Sequence, residues 1–115
     1  MREIKFRMWD FENQEMINGD SLAFEEYAPI SQLLSQKGIM QYTGLKDCND
    51  KEIYEGDIFK DWKGNIRIIT WKDFLWVFEV PEKQRKELGH RYEDFHNVGE
   101  VIGNIYEHPH LLNQE

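Results

Sequence analysis

Two closely spaced turns constrain this chain more than any other feature. From Met40 to Lys60 it reads MQYTGLKDCNDKEIYEGDIFK. Gly44-Leu45-Lys46-Asp47 leads into Asn49-Asp50, and Glu55-Gly56-Asp57 opens the apolar run Ile58-Phe59. Glycine enters positive φ with no steric penalty, and a short Asp or Asn side chain bonds the backbone two residues on. The stretch therefore packs two chain reversals and a strand start into twenty-odd residues. It encodes shape rather than chemistry.

The rest of the chain speaks mostly in strands. Ile4, Phe6 and Met8 fall on one face and Lys5, Arg7 and Trp9 on the other, which predicts a half-buried strand over Glu3–Trp9. Asp10–Asn13 is a polar turn, and Glu15–Asn18 is its short hairpin partner. Tyr27, Ile30, Leu33 and Leu34 recur at helical spacing ahead of Lys37-Gly38, so a short helix is expected over Ile30–Gln36. Strands follow over Ile39–Thr43, Asp57–Trp62, Ile66–Trp71, Leu75–Val80 and Val98–Tyr106. Lys63-Gly64-Asn65 closes one hairpin and Lys72-Asp73 another. Pro81 stops a strand because it cannot donate to a ladder. Glu82–Gly89 reads as a loop or an exposed helical turn. Gly99 and Gly103 mark bulges or kinks in the last strand. Such a meander with a late return strand is what a small barrel needs, since closure removes open edges.

Three segments together resemble the YopX family of small bacteriophage and prophage proteins. Met1-Arg2-Glu3-Ile4-Lys5-Phe6-Arg7-Met8-Trp9-Asp10 is similar to that family's MREIKFRAWD opening. Met40–Asp47 with Lys51–Ile58 is similar to MQYTGLKDKNGKEIYEGDI, and Val101–Pro109 to VIGNIYENPEL. The order and spacing make the match specific, and it spans the chain. Asn49-Asp50 stands where the family has Asn-Gly, which implies a looser turn. The resemblance implies a mainly β fold of coiled antiparallel sheets, with an SH3-like barrel in the C-terminal part and at most a short helix. It implies no established activity. One domain over residues 1–115 is expected, with an N-terminal strand or arm at 1–38 and the barrel part at 39–110.

Composition narrows the function classes. The net charge is −8, which opposes a protein that grips nucleic acid by its phosphates, since that grip needs a Lys/Arg footprint. Lys83-Gln84-Arg85-Lys86 is the one basic run. Cys48 is the single cysteine, so no internal disulfide can form, as suits a reducing cytoplasm. No apolar run approaches the roughly 20 residues of a membrane span. The charged N-terminus lacks the apolar region of a signal peptide. A cytoplasmic location in a bacterial host is expected.

No catalytic, cofactor or metal site is expected. His90, His96, His108 and His110 could be read as metal ligands, but histidines near a terminus are more often solvated. Glu52, Glu55 and Asp57, with Asp47 and Asp50, could be read as a hydrolase's carboxylates; turn chemistry is the simpler account. The Gly44–Gly56 stretch lacks the glycine pattern of a phosphate loop. Cys48 lies between acidic neighbours that oppose a reactive thiolate. An aromatic groove is the remaining candidate: Tyr42, Tyr54, Trp62, Trp71 and Trp76 could form one, though most of these rings read as core, and Tyr42, Tyr54 and Trp62 are singled out because they flank turns.

Strands Ile66–Trp71 and Leu75–Val80 carry large apolar residues on both faces. A barrel interior accepts only one, so the other is expected to cover the N-terminal segment or a second subunit, which favours a homo-oligomer. The leading expectation is a non-enzymatic phage or prophage accessory protein that binds a host or phage protein. One alternative is a nucleic-acid-associated module with a basic face built from Arg2, Lys5, Arg7 and Lys83–Lys86. The other is a carboxylate-dependent hydrolase.

Overall fold

A computed structural model describes residues 5–18 and 38–113. Nine strands lie among them: β1 (Phe6–Asp10), β2 (Glu15–Asn18), β3 (Ile39–Lys46), β4 (Glu52–Tyr54), β5 (Asp57–Asp61), β6 (Ile66–Lys72), β7 (Leu75–Glu79), β8 (Tyr92–Asp94) and β9 (Gly99–Asn104). They form two antiparallel sheets, ordered β2-β1-β3-β4 and β8-β7-β6-β5-β9. The second curls into a half-barrel. The helix expected over Ile30–Gln36 falls outside the described residues. A helix, α1 (Glu82–Leu88), occupies the segment read as a loop or helical turn. It buries no residue, which is why apolar periodicity gave so little signal there.

The core follows from alternation. Phe59, Ile69 and Phe78 come from three adjacent strands of the half-barrel, and Ile53 reaches them from β4 of the other sheet. Phe59 pairs with Arg67, and Ile69 with Phe78, so one face of β5, β6 and β7 is turned inward. Trp76, Phe95 and Val101 pack around this cluster. Burying each large side chain contributes roughly 1.5–3 kcal/mol. Ile58, on the opposite face of β5, is also fully buried. That face is therefore covered within the chain at β5, whereas Ile66, Ile68 and Val77 beside it are only partly covered.

Several expectations are corrected in detail. Trp9, on the face of β1 it shares with Lys5 and Arg7, is buried. Its ring stacks on Tyr106 at 6.0 Å, and Phe11 meets Tyr106 edge-on. The C-terminal segment supplies this second layer, which β1 alone could not announce. The turn at Asn49-Asp50 is not looser for want of glycine, because Asp50 takes a positive φ of 65° itself. The second hairpin turns on Asp73-Phe74 rather than Lys72-Asp73, with Lys72 paired to Leu75. Strand β8 went unread in the sequence because it is three residues long.

The glycines do what the turns require. Gly56 has φ +83° and sits against Met40 and Ile105, and its N–H donates to the Ile69 carbonyl. At Gly99 a Cβ would lie 2.3 Å from the Lys60 carbonyl oxygen, so only glycine lets β9 approach β5 there. A register shift between Ile58 and Phe59 places the expected irregularity of β9 beside Gly103.

Candidate interaction surface

Lys5, Arg7 and Trp9 share a face of the first sheet with Met40, Tyr42, Glu52 and Tyr54. Cations and rings interleave there. The Lys5 ammonium lies 5.7 Å from the Tyr42 ring centroid and donates to Glu52 at 2.6 Å. The Arg7 guanidinium lies 4.5 Å from the Tyr54 ring and donates to the Asp57 carboxylate. Asp57 also accepts from the Tyr54 N–H at 2.8 Å. Burial pushes the Asp57 carboxyl up, against the lowering pull of Arg7 and of that N–H. Burial likewise raises Glu55. Burial, together with the Glu52 charge, raises the Tyr54 phenol.

The carboxylates singled out in the sequence thus serve separate partners. Asp47 is buried and accepts three backbone N–H groups: Asn49 and Lys51 at 2.9 Å, and Val101 at 2.8 Å. Burial pushes its carboxyl up, but the three donors more than offset this and hold it below its ordinary value. Asp50 pairs with Lys46 at 3.7 Å on the surface. Each of these bonds closes a turn or joins an element.

The other polar candidates are similarly engaged. His108 accepts from the Asn104 N–H at 3.2 Å, and its ring lies where a Cβ on residue 103 would stand. His108 and His110 approach with ring centroids 6.1 Å apart. His96 packs on Phe78, and His90 contacts Glu93 at 2.6 Å. Among the described residues, no group of three or more His, Cys, Asp or Glu side chains could hold a metal ion. Cys48 is exposed, and its backbone N–H donates to the Gly99 carbonyl. Among the described residues, no helix is long and apolar enough to cross a membrane.

Basic residues are largely matched. Arg67 is buried on the inner face of β6. It makes a two-pronged contact with Glu93 at 2.6 and 3.3 Å and further bonds to Gln84 and the Ile66 carbonyl. Its hydrogen bond holds the Glu93 carboxyl below its ordinary value. This cluster links α1 and β8 to β6 across the inner face. Glu79 gathers Arg85 at 2.8 Å and Arg91 at 3.0 Å on the outer face.

The three aromatic candidates divide. Tyr42 and Tyr54 pair across β3 and β4 with ring centroids 5.5 Å apart, and Tyr42 is buried. Trp62 lies on the β5–β6 hairpin of the other sheet, 68% exposed, with the Lys63 ammonium 4.9 Å from its ring.

A second exposed group, with Trp71 among the groove candidates and Phe74 outside them, crowns the β6–β7 hairpin. Phe74 is 87% exposed, Leu75 65% and Trp71 40%. Trp71 and Trp76 pair across the strands and meet edge-to-face at 4.9 Å. Asp73 and Phe74 both take positive φ, 52° and 67°, as in a two-residue type I′ turn, where Asn-Gly or Asp-Gly is strongly preferred. A phenylalanine held left-handed costs roughly 1–2 kcal/mol. The signal was present in Asp73-Phe74-Leu75-Trp76, but a Trp-Phe-Leu-Trp pattern reads as core until the turn is centred correctly.

The family model described as YopX protein matches residues 5–113. Among solved structures, the chain is similar to the crystal structure of protein EF1440 from Enterococcus faecalis. The TM-score is 0.60 and the identity 27%, over 97% of this chain and 99% of that one. No curated protein matches the chain.

Proposed function

The chain belongs to the YopX protein family, and we propose that it works as a non-enzymatic binding module of a phage or prophage, in the cytoplasm of the bacterial host. The observation that carries this reading is the division of labour among its side chains. The candidate acids, Arg7 and His108 are committed to turns, ion pairs and sheet contacts, while large aromatics stand exposed on the hairpins of the half-barrel. Exposed apolar groups that do not serve the core mark association surfaces. A protein partner, from host or phage, fits this surface better than nucleic acid. Lys5, Arg7 and Arg85, expected to contribute a basic face, are instead paired with Glu52, Asp57 and Glu79. We also propose a homo-oligomer joined through the outer face of β6 and β7, where Ile66, Ile68 and Val77 are only partly covered.

A tagged pull-down from host cells, with and without nuclease, tests the partner class. A protein partner that survives nuclease supports the binding module; loss of all partners with nuclease transfers the role to nucleic acid. Light scattering at micromolar concentration tests assembly, and a monomeric mass rejects the oligomer.

A further inference from the structure

We propose that the β6–β7 hairpin tip is a knob that inserts into an apolar pocket on a basic partner protein; this rests on the binding-module reading and assigns it a specific contact. Three observations converge on the tip. First, Phe74, Leu75 and Trp71 stand 87%, 65% and 40% exposed at the hairpin's end, with Leu75 and Trp71 on its two opposite faces. Second, Phe74 stands in the left-handed region at φ 67°, where glycine would fit without strain, and so exposed a ring returns almost no packing to the fold. Strain without a folding benefit is expected at sites kept for contact. Third, the paired Trp71 and Trp76 rings lie directly beneath the turn and brace it, which presents a preformed shape.

The shape and the charge choose the occupant. With side-chain areas on the order of 200 Å², the three exposed residues offer roughly 350–400 Å² of apolar surface. A stable symmetric interface needs about 800 Å² from each partner, and two convex tips cannot enclose one another. A knob of this size suits a pocket that surrounds it, as interface hot spots are surrounded. The chain carries −8. At the tip Lys72 is matched by Asp73 at 2.9 Å, and Asp94 stands exposed opposite Val77. With the tip's own Lys72 and Asp73 matched, the chain's overall −8 selects a partner of net positive charge, and complementary charge steers the approach.

The test places a photo-crosslinking benzophenone amino acid at position 74 of the full chain in host cells, and in parallel at Trp62 and at Val98. Adducts are identified by mass spectrometry. The expected result is an adduct from position 74 to one polypeptide of net positive charge. With that polypeptide purified, Phe74→Gly is expected to weaken binding at least 100-fold, and added salt to weaken it further, while the variant melts no lower than the parent because its turn becomes Asp-Gly. The pairing of lost binding with undiminished stability separates a contact residue from a structural one. Position-74 adducts confined to second copies, or any to an acidic polypeptide, lipid or nucleic acid in place of a basic one, overturn the proposal, as does unchanged binding by Phe74→Gly. Adducts only from positions 62 or 98 overturn the tip and leave the binding module standing. No adduct from any position overturns both.

Discussion

Asp47 to asparagine is the substitution whose effect the structure specifies most fully. One carboxylate oxygen accepts from the Asn49 and Lys51 N–H groups and the other from the Val101 N–H, all within 2.9 Å. An asparagine keeps one oxygen. Whichever way the amide turns, its NH2 faces at least one backbone N–H, and a donor is left without an acceptor. A hydrogen bond to a charged group is worth roughly 1.5–3 kcal/mol, and an orphaned buried donor costs about 1–3 kcal/mol. The retained bonds also lose their charge assistance. The expected loss is about 2–4 kcal/mol at neutral pH. With a urea slope of about 2 kcal/mol per molar, the middle of the usual range for a small domain, the midpoint falls by roughly 1–2 M, read by tryptophan fluorescence. The pH dependence carries a sign. Asp47 is held below its ordinary value when folded, so its stabilisation is complete above the ordinary carboxylate value of about 3.9. It is lost as pH falls through the lower folded value. Asparagine takes no proton there, so the gap between parent and variant should narrow as pH falls below about 4. A neutral-pH difference under about 0.5 kcal/mol, or a gap that stays constant from pH 7 to 3, would refute the assignment.

Other outcomes follow from the same geometry. Gly99→Ala places a Cβ 2.3 Å from the Lys60 carbonyl and should destabilise by about 3 kcal/mol or more, seen as a large drop in melting temperature. Arg67→Ala leaves Glu93 half-buried and unpaired by its main partner; a loss of about 3–5 kcal/mol is expected, with faster hydrogen exchange over residues 82–94 before the rest of the half-barrel. Ile53→Ala should cost about 2–5 kcal/mol, and a loss under 1 kcal/mol by urea titration would show that β4 does not close the core.

The strand pattern was legible where alternation met a turn residue of known chemistry. Ile58-Phe59 after Gly56 and Ile66–Trp71 after Lys63-Gly64-Asn65 each required only local information, and the structure agrees within a residue or two at their ends. The burial of Trp9 was not legible because period two identifies faces but not what covers them, and its cover, Tyr106, lies almost a hundred residues away. Arg7 reads as a solvated base for the same reason; its partner Asp57 is fixed by tertiary packing. The family kinship was carried by three separated motifs and fixes the fold. The exposed hairpin tip was hidden by a one-residue error in the turn. Centring it on Lys72-Asp73 leaves Phe74 as a strand residue, while centring it on Asp73-Phe74 puts the ring in water.

The order β8-β7-β6-β5-β9 gives the half-barrel an awkward birth. Strand β5, which carries the fully buried Ile58 and Phe59, lies between β6 and β9. The first of those partners follows it at once; the second ends about forty residues later, at Asn104. At a ribosomal rate of 5–20 residues per second, β5 stands as an unpaired edge for roughly 2–9 s while the remainder is synthesised. Over that interval the nascent chain displays the row of backbone donors and acceptors that β9 will later cover, next to two of its most apolar side chains. The demand on nascent-chain chaperones is thus set by the position of β9 in the chain.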